Sequence, residues 1–389
     1  MLFSLPQELL IEVVECCDHP SQRNLSLVSR RLRVLAQAVL FREVAFPKNS
    51  NSWISPGPPI HDPERLPGIL ANKRLLSYVR SLTISMRDSP NIGKIEDVEF
   101  LFSMLDRFPC LKGLYLDFLN LSPPMLSHLC ALTIERPLDV TLYLCTSPGD
   151  YNVPVPTLAI TGIKHFTDKT YSFRLFDQLV KASAHAICWM GMSHATPALL
   201  AIGVMPKLTK LQMATWDLCA QDFKTFLYAT PGLQELVLLR ETKEVCALPR
   251  AVVPQLRRVL VPPPWVVQLV PGRPITDVEF TQFPVPKVES VIAGLRALPQ
   301  STAAVTSLCF SLQYGEASIV AQVMKVALDS VPHLHHFTTS DVAMDVSHIS
   351  LVLYNLTSPL ISGTLRDVGP SHSVSLIARG QCMGQGSCS

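Results

Sequence analysis

The sequence predicts an α/β chain in which a short group of N-terminal helices is followed by an irregular α/β solenoid. Apolar residues recur at helical spacing between residues 4 and 46, and a short apolar phrase then recurs along most of the remaining chain. Between the two patterns, residues 48–68 hold five prolines, and proline denies helices and sheets a backbone donor. We therefore expect a helical motif at 1–46, a Pro-rich linker at 47–68, a repeat domain at 69–379 and a small polar, disordered tail at 380–389.

The N-terminal segment has the pattern of two or three short amphipathic helices. Ser4 and Gln7 form a capping-box pattern, and Pro6 suits the first turn of a helix, where no backbone donor is needed. Asp18-His19-Pro20 ends the first helix, and a second apolar run follows with arginines on its other face. About forty residues are too few to bury both apolar stripes, so part of them is expected to await a partner. The stripes consist of Leu5, Leu9, Leu10, Val13, Val14 and Cys17, and of Leu25, Val28, Leu32, Leu35, Ala36 and Val39.

The order of these residues resembles an F-box. The matching stretches are Leu5-Pro6, Glu8-Leu9-Leu10, Val13-Val14, Leu25-Ser26-Leu27-Val28-Ser29-Arg30-Arg31-Leu32, Leu35-Ala36 and Leu40-Phe41. The resemblance implies a three-helix motif that docks on a Skp-type adaptor and so joins a cullin-RING ubiquitin ligase. It also implies an adaptor-binding face that consists of Leu5, Pro6, Leu9, Leu10, Val13, Leu25, Val28 and Leu32.

The recurring phrase has apolar residues at positions 1, 4 and 6, usually after a proline. Side chains at that spacing turn one face of a short strand towards a core, and helical patterns at 95–108, 220–229 and 318–330 lie between copies. One strand–helix unit cannot bury its own face, whereas stacked neighbours form a continuous core. The clearest copies are Pro109-x-Leu111-x-x-Leu114-x-Leu116, Pro206-x-Leu208-x-x-Leu211-x-Met213, Pro231-x-Leu233-x-x-Leu236-x-Leu238, Pro254-x-Leu256-x-x-Val259-x-Val261 and Pro332-x-Leu334-x-x-Phe337.

Weaker alternations fill the interval between the first two of these copies. They are Val140-x-Leu142-x-Leu144, Leu158-x-Ile160 and Ile187-x-Trp189. The repeated part is similar to the degenerate leucine-rich repeats found in many F-box proteins. The alternative is a compact α/β domain whose parallel strands show the same pattern.

Residues between the apolar positions of each phrase are expected to face outward. They form our hypothesis for a target-facing surface, and an equally good interpretation is that they are only solvent-facing strand positions. These residues are Thr83, Tyr115, Asp117, Gln212, Ala214, Val237, Leu239 and Thr338.

Composition narrows the function classes. Hydrophobic residues make up 48% of the chain and charged residues 16%, which indicates large cores, and a net charge of +2 argues against a nucleic-acid binder. Residues 182–206 lack Lys, Arg, Asp and Glu, but polar residues and proline interrupt them, so no membrane span is expected. The eleven cysteines show no Cys-x-x-Cys spacing, which favours a reducing cytoplasmic or nuclear location and no zinc site. No catalytic or phosphate-binding motif is present, so we expect neither enzyme activity nor a cofactor or metal.

By this resemblance the chain is expected to be the substrate receptor of a Skp–cullin–F-box ubiquitin ligase, with a protein of unknown identity as its target. The alternative is a repeat scaffold, unrelated to ubiquitin, whose N-terminal helices only cap the open end of the solenoid. Exposure separates the two hypotheses: Leu9, Val13 and Val28 pack on the repeats in the second and face away from them in the first.

Overall fold

A computed structural model describes most of the chain. The described residues are 5–46, 70–86, 95–143, 145, 157–166, 173–193, 202–214, 219–239, 245–281, 287–311, 317–340, 363–367 and 373–378. The chain divides into two compact units, Met1–Gly191 and Met192–Ser389. This boundary was not predicted, and the expected linker at 47–68 and tail at 380–389 lie outside the described residues.

The first unit begins with three helices and continues as alternating strands and helices. The helices are α1 (Gln7–Cys16), α2 (His19–Val28), α3 (Arg30–Leu40), α4 (Lys73–Leu76), α5 (Ile95–Ser103), α6 (Pro123–Glu135) and α7 (Phe173–Ser183). The strands are β1 (Glu43–Phe46), β2 (Ser81–Ser85), β3 (Gly113–Asp117), β4 (Leu138–Tyr143), β5 (Ile160–Phe166) and β6 (Trp189–Met192), which ends at the unit boundary. Strands β1 to β5 pair in chain order and in parallel, and β6 follows β5.

The second unit repeats this arrangement. Its helices are α8 (Ala220–Tyr228), α9 (Pro263–Leu269), α10 (Val288–Ala297) and α11 (Ala317–Ser330). Its strands are β7 (Lys210–Met213), β8 (Glu235–Leu238), β9 (Arg258–Val261), β10 (Asp277–Phe280), β11 (Ser307–Ser311), β12 (His336–Ser340), β13 (Gly363–Asp367) and β14 (Ser373–Ala378). Strands β7 to β12 are parallel and in chain order, and β14 and β13 add to β12 in antiparallel fashion. No helix among the described residues has the length and apolar character needed to cross a membrane.

The apolar phrase forms the inner face of these strands. Leu111, Leu114 and Leu116 are at most 2% exposed, and the matching residues of the copies at β7, β8 and β9 are fully buried. The residue before a strand fixes the next copy, because its carbonyl accepts hydrogen bonds from two successive backbone N–H groups of that copy. The Arg42 carbonyl accepts from Arg80 and Ser81, and the same double acceptance recurs at Arg80, Thr209, Gln234, Arg257, Thr276 and Thr306. The predicted fold class, an N-terminal three-helix domain followed by α/β repeats, is confirmed.

The structure corrects several local predictions. Helix α1 begins at Gln7 after Pro6, without a side-chain cap, and Ser4 lies outside the described residues. Strand β1 starts three residues after α3 and pairs with β2, so residues 43–46 belong to the repeat sheet rather than to the helical motif. Strand β10 was not predicted, although Ile275, Val278 and Phe280 have the spacing of the phrase and are buried.

Candidate docking surfaces

The N-terminal helices form a domain with its own apolar centre. Leu10 of α1 packs with Leu32 and Leu35 of α3, and these three side chains are at most 4% exposed. Leu5, Ile11 and Leu25 pack against this cluster and are partly buried. Both α1 and α2 contact α3, so α3 is the element on which the other two helices are assembled.

Polar contacts cap the starts of α2 and α3 and tie α2 to the end of α1. Asp18 caps α2 by accepting a hydrogen bond from the backbone N–H of Ser21, and hydrogen bonds from the Ser21 side chain and backbone lower the pKa of Asp18. Ser29 caps α3 in the same way, accepting from the Leu32 N–H. The buried Gln22 amide of α2 donates to the carbonyls of Val14 and Cys17, which ties α2 to the end of α1. The Asp-His-Pro sequence therefore ends α1 and also starts α2.

Among the described residues of this domain, four large apolar side chains remain exposed. Leu9 and Val13 of α1 are 45% and 37% exposed, and Leu27 and Val28 at the end of α2 are 74% and 62% exposed. Leu9 and Val13 lie one turn apart on one face of α1, beside the row that holds the buried Leu10 and Val14. The described apolar centre is already filled without them.

Burial sorts the eight predicted adaptor-binding residues into two groups. Leu10 and Leu32 belong to the interior of the domain, so they stabilise its fold and cannot be part of a docking surface in this conformation. Pro6, Leu9, Val13 and Val28 are exposed, and Leu5 and Leu25 are half-buried against the cluster. The exposed Leu27 was not among the predicted residues, although it adjoins Val28 in the sequence.

The outer face of the first unit carries a tyrosine between two threonines. Thr83, Tyr115 and Thr141 lie side by side in register on β2, β3 and β4, and all three are half-buried. One position further along the outer face, the Ser85 hydroxyl donates a 2.7 Å hydrogen bond to Asp117, which is only 6% exposed. The predicted target-facing residues of this unit therefore lie together, with Asp117 mostly buried.

Two glycines of the outer face are covered by side chains from the neighbouring strand. A Cβ atom on Gly162 of β5 would lie 1.8 Å from the Trp189 indole nitrogen of β6, so the indole rests directly on the glycine. A Cβ on Gly191 of β6 would lie 2.9 Å from Cγ of Lys164 on β5. Trp189 was predicted to be an inner-face residue. It lies instead on the outer face, because Met190 and Met192 occupy the buried positions of β6.

The outer face of the second unit is a row of alternating charges. Lys210, Glu235, Arg258 and Asp277 occupy one register row, with nitrogen–oxygen distances of 3.0 Å for Lys210–Glu235 and 3.9 Å for Arg258–Glu235. The neighbouring row contains Gln212, Val237, Leu260, Glu279, Cys309 and Thr338.

Burial in that second row is substantial. Val237 is 8% exposed, and burial raises the pKa of Glu279, with Arg258 acting in the opposite direction. Of the predicted target-facing residues, Gln212, Ala214 and Leu239 are half-buried. For Thr338 the described features are its backbone and register in β12.

The described part of the chain contains no group of three or more His, Cys, Asp or Glu side chains that could hold a metal ion. His333, His335 and His336 are exposed at the turn that leads into β12, where His336 occupies the register position next to Ser307. The docking surfaces described above are therefore the features from which a function can be argued.

Comparisons with known proteins identify the N-terminal part. A search of curated proteins gives no match to the chain. The family model of the F-box domain matches residues 2–43, a range that contains α1, α2, α3 and the exposed apolar residues on them. Residues 2–43 of this chain are an F-box domain.

Proposed function

We propose that the chain is the substrate receptor of a Skp–cullin–F-box ubiquitin ligase. F-box domains generally bind Skp-type adaptors in cullin complexes, and F-box proteins are typically adaptors without enzyme activity. The observation that supports the proposal is the exposure of Leu9, Val13 and Val28 on a domain whose centre is already closed by Leu10, Leu32 and Leu35.

Energetics favour a partner for these side chains. Removing a leucine or valine side chain from water is worth about 1.5–3 kcal/mol, so a surface that covers Leu9, Val13, Leu27 and Val28 would gain several such contributions. A standard interface buries about 1,600 Å² in total, and a few central residues supply most of its energy. Leu9 and Val13, on one face of a capped three-helix domain, are suited to that central position.

In this proposal the chain brings a target to the ligase and performs no bond chemistry itself. The F-box binds the adaptor, and the repeat units hold a target protein near the ubiquitin-charged enzyme. Tethering converts an encounter between two proteins into an effectively intramolecular one, which raises the effective concentration of target lysines and orients them.

The first experiment measures binding of the full chain to a purified Skp-type adaptor. Leu9→Asp combined with Val13→Asp should abolish binding, because a carboxylate buried without a partner is strongly unfavourable. Val204→Asp is the matched control, since Val204 is 65% exposed in the second unit and should tolerate the charge without loss of binding. Circular dichroism checks that each variant folds. If the wild-type chain fails to bind at micromolar concentration, the proposed function is wrong.

The capping hypothesis is favoured by a different observation. Strand β1 starts three residues after α3 and pairs with β2, so the helical domain continues into the first strand of the first unit. A cap would pack Leu9, Val13 and Val28 against the repeats, so the exposure of these three side chains favours the adaptor proposal. If the Asp variants lose thermal stability as well as adaptor binding, whereas the Val204 variant does not, capping becomes the better explanation.

For the target we propose the outer face of the first unit, around Tyr115 and Trp189. Tyrosine and tryptophan supply large contact areas with a polar group, and they are enriched among the residues that dominate binding energy. The Leu9→Asp/Val13→Asp chain, which should retain its target but not its ligase, can be used to capture bound proteins from cells. Tyr115→Ala with Trp189→Ala should remove the specific captured protein, and Lys210→Ala with Arg258→Ala in the second unit is the control. Equal capture by both variants would refute this placement.

A further inference from the structure

The F-box domain separates its charges between its helices. Helix α1 contains glutamates and no basic residue, whereas α2 and α3 contain arginines and no acidic residue. These charged side chains are all exposed, and the Glu15 carboxylate pairs with Arg42, which follows α3. They are Glu8, Glu12 and Glu15 on α1, and Arg23, Arg30, Arg31 and Arg33 on α2 and α3.

Two of the four arginines serve the fold of the domain. Arg31 donates to the Leu5 carbonyl at 3.0 Å and so holds the start of α1 against α3. Arg33 donates to the Ser26 carbonyl at 3.1 Å, near the C-terminal end of α2, where a positive charge is favoured by the helix dipole.

The other two arginines have no such role. Within the described residues, neither Arg23 nor Arg30 makes a side-chain hydrogen bond or an ion pair. Arg23 precedes Leu27 by four residues, so the two share one face of α2, and Arg30 begins α3 two residues after Val28. Leu27 and Val28, the two most exposed large apolar side chains among the described residues of the domain, are thus flanked by two cations that the domain does not neutralise.

The apolar pair on α1 has the opposite surroundings. Leu9 and Val13 adjoin Glu8 and Glu12, which are exposed, and no basic residue is present on that helix. A partner that covers both pairs therefore meets negative charge at α1 and positive charge at the end of α2.

We infer that the adaptor presents an acidic surface to the end of α2, and that the attraction between this surface and Arg23 and Arg30 orients the F-box and accelerates its association. The inference rests on the proposed function, because the partner is the Skp-type adaptor. Carboxylates of the adaptor would neutralise the two arginines. An apolar surface beside these carboxylates would cover Leu27 and Val28 in the same binding step. Opposite charges at the rim of an interface act mainly on the association rate and on orientation.

The test measures association and dissociation rates of the full chain with the purified adaptor by stopped flow. Arg23→Glu with Arg30→Glu should lower the association rate about tenfold or more at low ionic strength, and should change the dissociation rate much less. Arg107→Glu with Arg257→Glu, at exposed positions in the two units, makes the same change in net charge and should leave the rate nearly unchanged. Arg23→Gln with Arg30→Gln should give an intermediate rate, and it carries the test if the Glu variant fails to fold.

Ionic strength provides the second readout. Raising the ionic strength from about 0.01 M to about 0.15 M shortens the Debye length from about 30 Å to about 8 Å. This change should lower the association rate of the wild-type chain, and it should leave the association rate of the Glu variant unchanged or raise it. If the wild-type chain binds the adaptor, but the association rate depends neither on salt nor on the two arginines, the acidic surface is refuted and the proposed function stands. If the wild-type chain does not bind the adaptor, the proposed function fails first.

Discussion

The two units share one inner face and differ on the outer one. Inside, both present the same apolar rows, such as Leu82 and Leu114 in the first unit and Leu236 and Val259 in the second. Outside, the first unit has glycines covered by Trp189 and Lys164, whereas the second has alternating charges that neutralise one another. Buried positions on the inner face accept few residue types, so the differences between the units that can affect function are on the outer face.

The units also share a device that joins neighbouring repeats. Arg273 in the second unit is fully buried and donates to the carbonyls of Pro249 and Val252 in the preceding turn. It also donates to carbonyls at the end of α9, and burial lowers the pKa of Arg273 to about 10. Arg136 in the first unit is half-buried and donates to the carbonyls of Leu105 and Phe108 in its own preceding turn.

The largest expected effect is the loss of stability when Arg273 is replaced, compared with the smaller loss when Arg136 is replaced. Arg273→Met removes the guanidinium donor from the buried Val252 and Leu269 carbonyls, and each buried carbonyl left unsatisfied costs about 1–3 kcal/mol, so we expect a total loss of about 2–6 kcal/mol. Arg136→Met should cost less, about 1–3 kcal/mol, because water can reach part of its site. Urea unfolding followed by circular dichroism measures both free energies of unfolding. Equal losses in the free energy of unfolding would mean that the burial of the arginine does not determine how strongly its hydrogen bonds stabilise the fold.

The inner faces of the two units should lose similar amounts of stability when a buried leucine is replaced with alanine. Leu114 in the first unit and Leu236 in the second occupy the same position of the phrase and are 2% and 0% exposed. Replacing either with alanine should lower the free energy of unfolding by about 2–5 kcal/mol, and by similar amounts, because each leaves a cavity in a closed strand–helix core. Urea titrations of the two single variants provide the comparison. A loss confined to one unit would show that the shared phrase hides different packing.

The phrase explains how much of the fold the sequence could predict. A strand alternates its faces every residue, so Leu111, Leu114 and Leu116 can all reach the core only if a turn precedes the strand, and this constraint is visible locally. In the N-terminal domain the same logic could not separate Leu9 from Leu10. Both lie on the apolar stripe of α1, and only the position of α3, set by contacts with residues some twenty positions away, decides which of them is buried.

The outer face shows why other features were not predictable. Trp189 follows the apolar residue Ile187 with the spacing of an inner strand, so the sequence pattern gave it the wrong face. The space that receives its ring is created by Gly162 on the neighbouring strand, and the link between the two exists only after β5 and β6 are paired. Strand pairs of this kind are not local in the sequence.

A stability effect of intermediate size tests the pairing of β5 with β6 in the first unit. Gly162→Ala places a methyl group on the Trp189 indole and should lower the free energy of unfolding by about 1–3 kcal/mol, with a change in tryptophan fluorescence. Gly113→Ala is the matched control, since the nearest atom to its new Cβ is the Ser81 hydroxyl at 3.5 Å and no displacement is needed. Trp189→Leu should relieve most of the penalty of Gly162→Ala in a double-mutant cycle. Additive losses would contradict the direct contact.

The smallest expected effect concerns the charged row of the second unit. Lys210 and Glu235 are 3.0 Å apart, but the lysine side chain is 45% exposed, so water and salt screen their attraction. Glu235→Gln should therefore cost less than about 1 kcal/mol in the free energy of unfolding, and high salt should reduce even that difference. Thermal unfolding at low and high ionic strength checks both statements. A cost well above this range would mean that the charged row stabilises the second unit.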